Sequence, residues 1–364
     1  MNKSFSGVQG AVFQKSPLVT EGKNQWRLLK DGIHDPFRHF AVEEALLRGI
    51  DDGVTSPTLR LRQIEPSVWI GVYQYPDEDV DVNYCGAKGI KIVRRPNPGG
   101  AVYQDGGSFC YSLFCPKEFL FKGLNVREAE QLYPLIGKAV IETCRDFGVK
   151  AELSPVNDIT IGGRKVYGSA QVEFYSAFVH SGTLLVKTDL EEMEKCLKPS
   201  RLKFSDKGFR DVKSRVINLC EAVGRDIEIA EVMDKLVSHM AELLQVDFYE
   251  AGLSAAEVQA ADALYREKYA APGWTFRKKD AHGVVVSTKA RSGVITLEVS
   301  LEGDAIAGAH IKGDFLVPDQ GELNRVMDDF KGKTLSGALE VVRSGRLPAD
   351  VREALDELLN GIIK

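Results

Sequence analysis

Apolar residues change their spacing several times along the chain, and each change marks an element. In "HFAVEEALLRGI" (39–50), Phe40, Ala45, Leu46 and Ile50 recur at helical spacing with acids between them, and Asp51–Gly53 supply a stop. "TLRLRQIEPSVWIGVYQ" (58–74) alternates and is rich in Val, Ile, Trp and Tyr, which predicts two strands around a turn at Pro66. "GIKIVRR" (89–95) reads as a short buried strand that delivers Arg94 and Arg95 to a loop, and "AVYQ" and "FCYSLFC" resume strand character beyond it. The clearest helix is "EAEQLYPLIGKAVIETCRDFGV" (128–149): Leu132, Leu135, Ile136, Ala139, Val140 and Phe147 share a side, and Gly148 stops it. Strands are predicted at "VNDITI" and "KVYGSAQVEF", joined by the turn "GGR", and again at "FVHSGTLLVK".

Beyond these strands a polar loop, "KPSRLKFSDKGFRDVKSRVINL" (198–219), leads into a helix at "IAEVMDKLVSHMAELL". An Ala- and Glu-rich stretch, "SAAEVQAADALYREKYAAPGW", reads as a linking helix. The texture then changes. "SGVITLEVSLEGDAIAGAHIKGDF" (292–315) predicts a hairpin in which Ile295, Leu297, Val299 and Leu301 share a face and Gly303–Asp304 turn the chain. Helical segments from "GELNRVMDDF" to "VREALDELLNGI" close the sequence. These elements imply an N-terminal tail at 1–25, a mixed α/β domain at 26–252, a linking helix at 253–272, and a small α/β accessory domain at 273–364.

Composition narrows the function more than the fold. With 44% hydrophobic and 27% charged residues, the 364-residue chain has the makings of a packed soluble protein. A formal charge of −5 argues against a general nucleic-acid binder. No apolar run approaches the roughly 20 residues that span a bilayer, and the N-terminal tail lacks a signal peptide's apolar stretch. The six cysteines, Cys85, Cys110, Cys115, Cys144, Cys196 and Cys220, form no Cys-x-x-Cys pair. Reduced thiols in a cytoplasmic protein follow.

Four stretches carry candidate chemistry. In "RRPNPGGAVYQDGG" (94–107), Arg94 and Arg95 run into a turn stiffened by Pro96 and Pro98 and opened by Gly99 and Gly100. Guanidinium forks beside bare backbone suit carboxylate or phosphate oxygens, although a solvated surface hairpin would look the same. In "NDITIGGRKVYGSAQ" (157–171), Lys165 leaves a tight Gly-Gly turn, Asn157 and Asp158 open a strand, and Gly168, Ser169 and Ala170 give a narrow backbone. Alone, Lys165 reads as a solubilising turn residue and Asp158 as a strand-end cap. "KFSDKGFRDVKSRVINL" (203–219) interleaves Lys207, Arg210, Lys213 and Arg215 with small residues, as either a solvated basic surface or a cover for a triphosphate bound also by Ser214 and Asn218. His180 in "FVHSGTLL" reads by default as a satisfied core histidine.

The order of these stretches is more informative than any one of them. Together with "WRLLKDGIHDPFRHFAVEEALL", "PTLRLRQIEPSVWIGVYQ", "HSGTLL" and "KYAAPGWTF", they make residues 26 to about 330 resemble the lipoate–protein ligase family, within the wider group of biotin and lipoate ligases. The resemblance implies a mixed β-sheet with flanking helices of that type and a small C-terminal accessory domain. It also implies an enzyme that uses ATP and magnesium to convert lipoic acid to lipoyl-AMP, then passes the lipoyl group to a lysine of a carrier protein or domain. A cytoplasmic monomer with no nucleic-acid or membrane partner is expected.

Carried over by position, the resemblance makes Lys165 the catalytic residue. It places Arg94, Arg95, Asn97, Gly99, Gly100, Ala101 and His180 against lipoate. Val102, Tyr103, Asn157, Asp158, Lys165, Gly168, Ser169 and Ala170 fall at the nucleotide, as do Gly182, Thr183, Lys207, Ser214 and Arg215, and Asp158 is also the magnesium ligand. The chain departs from the family's Arg-Arg-x-Ser-Gly-Gly-Gly loop, because Asn97 and Pro98 replace the serine and first glycine. It also has Gln104 where histidine is common, and Ser181 where histidine or glycine is common. These departures leave the preferred acid open.

Two other readings stay open. A transferase of the same fold works through a cysteine thioester, but the matching stretch "KAELSPVND" has no cysteine, and Cys110 stands elsewhere. A carrier-binding module without adenylation is the other. A biotin ligase fits less well, since its glycine–arginine loop and following tryptophan are missing.

Overall fold

A computed structural model describes residues 25–154, 156–198, 212–277, 283–317 and 319–363. The strands, in chain order, are β1 (Gln25–His34), β2 (Thr58–Ile64), β3 (Ser67–Ile70), β4 (Lys91–Arg94), β5 (Val102–Gln104), β6 (Ser108–Pro116) and β7 (Glu152–Ser154). They continue with β8 (Asp158–Ile161), β9 (Arg164–Phe174), β10 (Ala177–Leu185), β11 (Asp247–Glu250), β12 (Val284–Ala290), β13 (Gly293–Glu302) and β14 (Ala305–Gly313). Eight of them form a mixed sheet in the order β11–β1–β2–β6–β10–β9–β8–β7. β1 runs parallel to both of its neighbours, and the remaining pairs are antiparallel. A small sheet, β4–β3–β5, stands beside it, and β12–β13–β14 form a third.

Local chemistry accounts for the elements that position the site. Helix α1 (Pro36–Asp51) starts where Asp35 accepts hydrogen bonds from the amides of Phe37 and Arg38, with Pro36 fixing the first turn. The Gly162–Gly163 turn between β8 and β9 has φ of 57° and 79°, the left-handed pair that a two-residue hairpin demands and glycine supplies without strain. One face of the large sheet buries Leu59, Leu61, Phe109, Tyr111 and Leu113 against the helices Leu132–Asp146 and Ile229–Leu244. On the other face, α1 packs over Phe114, Val172 and Val179, and the helix Ala255–Leu264 packs on α1.

The C-terminal sheet has its own core, in which Ile295, Leu297 and Val299 meet Leu323, Leu339 and Leu355 from the last three helices. Leu301, expected on that face, is exposed, because the pairing of β13 with β14 shifts between Ser300 and Leu301 and turns it outward. Four strands lie outside the sequence expectation. β1 carries a register break between Lys30 and Ile33, β7 and β11 are very short, and β12 is an edge strand with Val284 and Val285 exposed. The expected N-terminal tail lies outside the described residues apart from Gln25. Among the described residues no helix is long and apolar enough to cross a membrane.

The helix Ala255–Leu264 is fastened to the large sheet by a buried ion pair. Arg27 donates two hydrogen bonds of 2.8 Å to the Glu257 carboxylate, which also accepts one from Thr55. Glu257 belongs to a capping box with Ser254, so the helix start and the tether are one structure. Replacing Arg27 with alanine would leave a buried carboxylate without its cation. The first unfolding transition of the Arg27→Ala protein should fall by about 3–5 kcal/mol in urea titration, and an unchanged transition would contradict the tether.

Candidate functional site

Register across the large sheet lays a line of side chains on one face. Arg62 of β2 pairs with Cys110 of β6, Cys110 with Thr183 of β10, Thr183 with Gly168 of β9, and Gly168 with Asp158 of β8. Directly paired residues point to the same side of a sheet, so all five face the same way. The neighbouring row runs Arg60–Ser112–Ser181–Ala170. Over these rows lies a cavity of about 790 Å³, walled by α1, by the loop after β4 and by the C-terminal sheet domain.

The two arginines of the loop have different fates. Arg94 is fully buried, and its guanidinium donates to the carbonyls of Gly71, Val72, Gln74, Trp274 and Thr275. Trp274 returns a hydrogen bond from its indole to the Arg94 carbonyl. Arg94 is thus a brace between the turn after β3 and the helix Pro272–Thr275. Arg95 lines the cavity and donates to the carbonyls of Trp69, Pro98 and Gly100, which curls the loop around it. Burial pushes its pKa down to about 10, which still leaves it charged at neutral pH. Among the described residues no carboxylate pairs with it. Its positive charge therefore faces the cavity with carbonyl oxygens for partners.

Lys165 stands at the other end of the row, 2.7 Å from Asp158. A side chain at Gly168 would put its Cβ 2.5 Å from the lysine Nζ, so glycine there is what lets the ammonium cross the strand. Asn157 donates to the Ser169 carbonyl and accepts from the Ser169 amide and hydroxyl, which fixes the backbone beside the pair. The segment after the polar loop closes this corner. The Ile217 amide donates to the Lys165 carbonyl, Val216 bridges to Lys165, and Arg215 reaches the cavity wall.

Most residues expected at the site meet there. Arg95, Asn97, Gly99, Gly100, Ala101, Val102 and Tyr103 line the cavity, as do Asn157, Asp158, Lys165, Gly168, Ser169, Ala170, Gly182, Thr183 and Arg215. Arg94, His180 and Ser214 are not in its wall. Arg94 spends its donors on carbonyls. His180 lies an odd number of residues from Ser181 and Thr183, so alternation turns its side chain away from theirs, where Tyr167 and Gln171 hydrogen-bond its ring. Lys207 lies outside the described residues. Sequence reasoning missed His39, Glu43 and Arg62, which line the cavity beside Ser181, and Arg291 and Ser292, which the C-terminal sheet domain brings to it. The arginines alternating with leucines in "TLRLRQ" are the signal that could have found Arg62.

The donor set does not make a protein-built magnesium cage. Among the described residues no three His, Cys, Asp or Glu side chains could hold a metal, and Asp158 is already paired with Lys165.

Residues 35–241 match the family described as "Lipoyl protein ligase A/B catalytic domain". That is more than half of the chain. The chain belongs to this family. It is 27% identical over 314 residues to Lipoate-protein ligase LplJ of Bacillus subtilis, covering 85% of this chain and 92% of that one. It is 26% identical over 273 residues to Octanoyltransferase LipM of Moorella thermoacetica, covering 70% and 98%. Among solved structures, a lipoate-protein ligase A bound with ATP superposes with a TM-score of 0.60 at 28% identity, over 70% of this chain and 99% of the other. This lipoyl ligase family member is therefore a ligase or transferase by descent. The part of its cavity wall supplied by β12–β14 and their connections lies beyond the family match.

Burial keeps His180 neutral, with its pKa pushed down to about 3, and holds His39 well below the ordinary histidine range, with Arg62 and Arg60 adding repulsion. In the unfolded chain both take up a proton near pH 6.5, so stability falls as pH drops below that value. His180→Gln removes one of these protons. Its stability should fall by about 1 kcal/mol less than that of the parent between pH 6 and pH 5 in urea titrations, and identical slopes would contradict the assignment.

Proposed function

We propose that this protein is an ATP-dependent ligase that joins lipoate, or a medium-chain acid of similar length, to AMP and passes the acyl group to a lysine of a carrier protein or domain. The observation that carries the reading is the pair of cations in one cavity. Among the described residues Arg95 is buried without a carboxylate partner, and Lys165 sits over a glycine at the end of the β-row. In the first step a carboxylate oxygen of the acid attacks the α-phosphorus of ATP, a P–O bond forms, and pyrophosphate leaves. Two anions must approach each other, and cations held beside them lower that barrier electrostatically. In the second step the carrier's lysine amine attacks the acyl carbonyl, AMP departs, and the amine proton is lost.

In this reading Lys165 follows the developing charge from the phosphate to the carbonyl. Its partner Asp158 holds it in line until an anion competes for it, and Gly168 keeps its path clear. Bound with the nucleotide, magnesium would supply charge neutralisation to its phosphates, and Asp158 beside Lys165 is the carboxylate that would face it.

The transferase reading draws on one observation of its own, since Cys110 lines the cavity. Burial raises its thiol pKa, and its sulfur sits 3.3 Å from the Thr183 hydroxyl and 3.5 Å from Gln104 Oε1. A thiol held protonated is a poor nucleophile, which favours the ligase.

Lys165→Ala should lower ATP–pyrophosphate exchange with lipoate by about 10²–10³-fold while the thermal melt stays at the parent's value. A folded Lys165→Ala protein that exchanges at the parent rate would remove the lysine from the mechanism. Acyl transfer to a carrier in the absence of ATP would replace the ligase with the transferase.

A further inference from the structure

The cavity is polar where the tail of an acyl chain would end. From Gly168 beside Lys165, the row crosses Thr183 and Cys110 and stops at Arg62, a span of about 14 Å at ordinary strand spacing. An extended medium-chain acid with its carboxyl group by Lys165 lays its far end against Arg62, His39, Glu43 and Ser181, all in the cavity wall. Purely apolar walls would suit a hydrocarbon tail, and this end is built otherwise.

Arg62 is only 2% exposed, and its hydrogen bonds are poor. Only the one to the Ser112 hydroxyl, at 2.9 Å, is short. Those to His39 Nδ1 and the Arg60 carbonyl are 3.3 Å, and the nearest Glu43 oxygen is also 3.3 Å away. Glu43 gives its strong contacts to Arg60 at 2.8 Å and to Ser112 at 2.7 Å. His39 is stacked on Trp69, with ring centroids 4.8 Å apart, and held neutral. Each guanidinium nitrogen of Arg62 thus has a partner, but apart from Ser112 those contacts are long and could give way to a better acceptor. An alkyl terminus pressed against them would exclude water and return nothing, whereas an acceptor atom there replaces a long contact with a short one.

We propose that this end of the cavity selects acids carrying a hydrogen-bond acceptor at the far end of the chain, an oxygen most strongly and a sulfur more weakly, over acids that end in plain alkyl, with Arg62 as the specificity-determining residue. The inference rests on reading the cavity as the acyl site.

The test is calorimetric titration of the full chain, without ATP, using octanoate and 8-hydroxyoctanoate. The hydroxy acid should bind about tenfold more tightly or better. Octanoate binding equally well or better overturns the inference, and binding of neither acid overturns both it and the acyl-site reading. In Arg62→Met, checked by thermal melt, the ratio should collapse toward one, and Arg62→Lys should keep part of it. An unchanged ratio in a folded Arg62→Met protein removes the role of Arg62. Because the titration needs no ATP, it separates from the adenylation reading. The expected binding order with no ATP–pyrophosphate exchange for any acid would sink adenylation and leave the tail selectivity standing. Exchange that favours octanoate would do the reverse.

Discussion

The alternation of side chains across the antiparallel strands of the large sheet is the constraint from which the site follows. Once β2, β6, β10, β9 and β8 pair in register, Arg62, Cys110, Thr183, Gly168 and Asp158 have no choice but to share a face. A slip of one residue would send them into the helix-packed core and turn core residues such as Tyr111 toward the cavity. The apolar residues of the opposite parity, Leu59, Leu61, Phe109 and Leu113, are what forbid that slip, because their burial against two long helices fixes the register. Core packing on one side of the sheet thus sets the chemistry on the other.

The same residue type serves two ends in adjacent positions. Arg94 knits the turn after β3 to the helix Pro272–Thr275, and Arg95 bends the loop while keeping its charge at the cavity. The brace matters to the site because the C-terminal sheet domain is docked close by. Tyr73 stacks on Phe315 and the Gly313 amide donates to the Tyr73 carbonyl, while Gln320 bonds the Pro96 carbonyl in the loop itself. The wall that Arg291, Ser292 and Leu316 complete therefore depends on contacts that lead back to the arginine loop.

Strong local signals made the fold legible. Helix α1 is announced by its periodicity, the β8–β9 turn by two glycines, and the β13–β14 hairpin by alternating apolar residues and Gly303–Asp304. β1 and β12 gave no such signal, one because a register break interrupts its alternation and the other because its edge position leaves valines in solvent. At the site, glycines and cations could be placed by resemblance, but their directions could not. Nothing in the sequence distinguishes Arg94 from Arg95, since the difference lies in carbonyls contributed by residues 71–74 and 274–275. The departure of His180 could have been foreseen from alternation, because it lies an odd number of residues from Ser181 and Thr183 and its side chain turns away from theirs. The polar end wall was hidden because His39, Glu43 and Arg62 come from a helix and a strand that look like ordinary amphipathic elements.

In the proposed reaction, Arg95 and Lys165 serve one bond, that between an acid's carboxylate oxygen and the α-phosphorus of a nucleotide. The most direct test labels that oxygen. Lipoate with both carboxyl oxygens replaced by ¹⁸O is incubated with the protein, ATP and hydroxylamine as acceptor, and the released AMP is weighed by mass spectrometry. The account predicts AMP carrying one ¹⁸O for each lipoyl hydroxamate formed. Unlabelled AMP, or hydroxamate formed with no AMP at all, would contradict it.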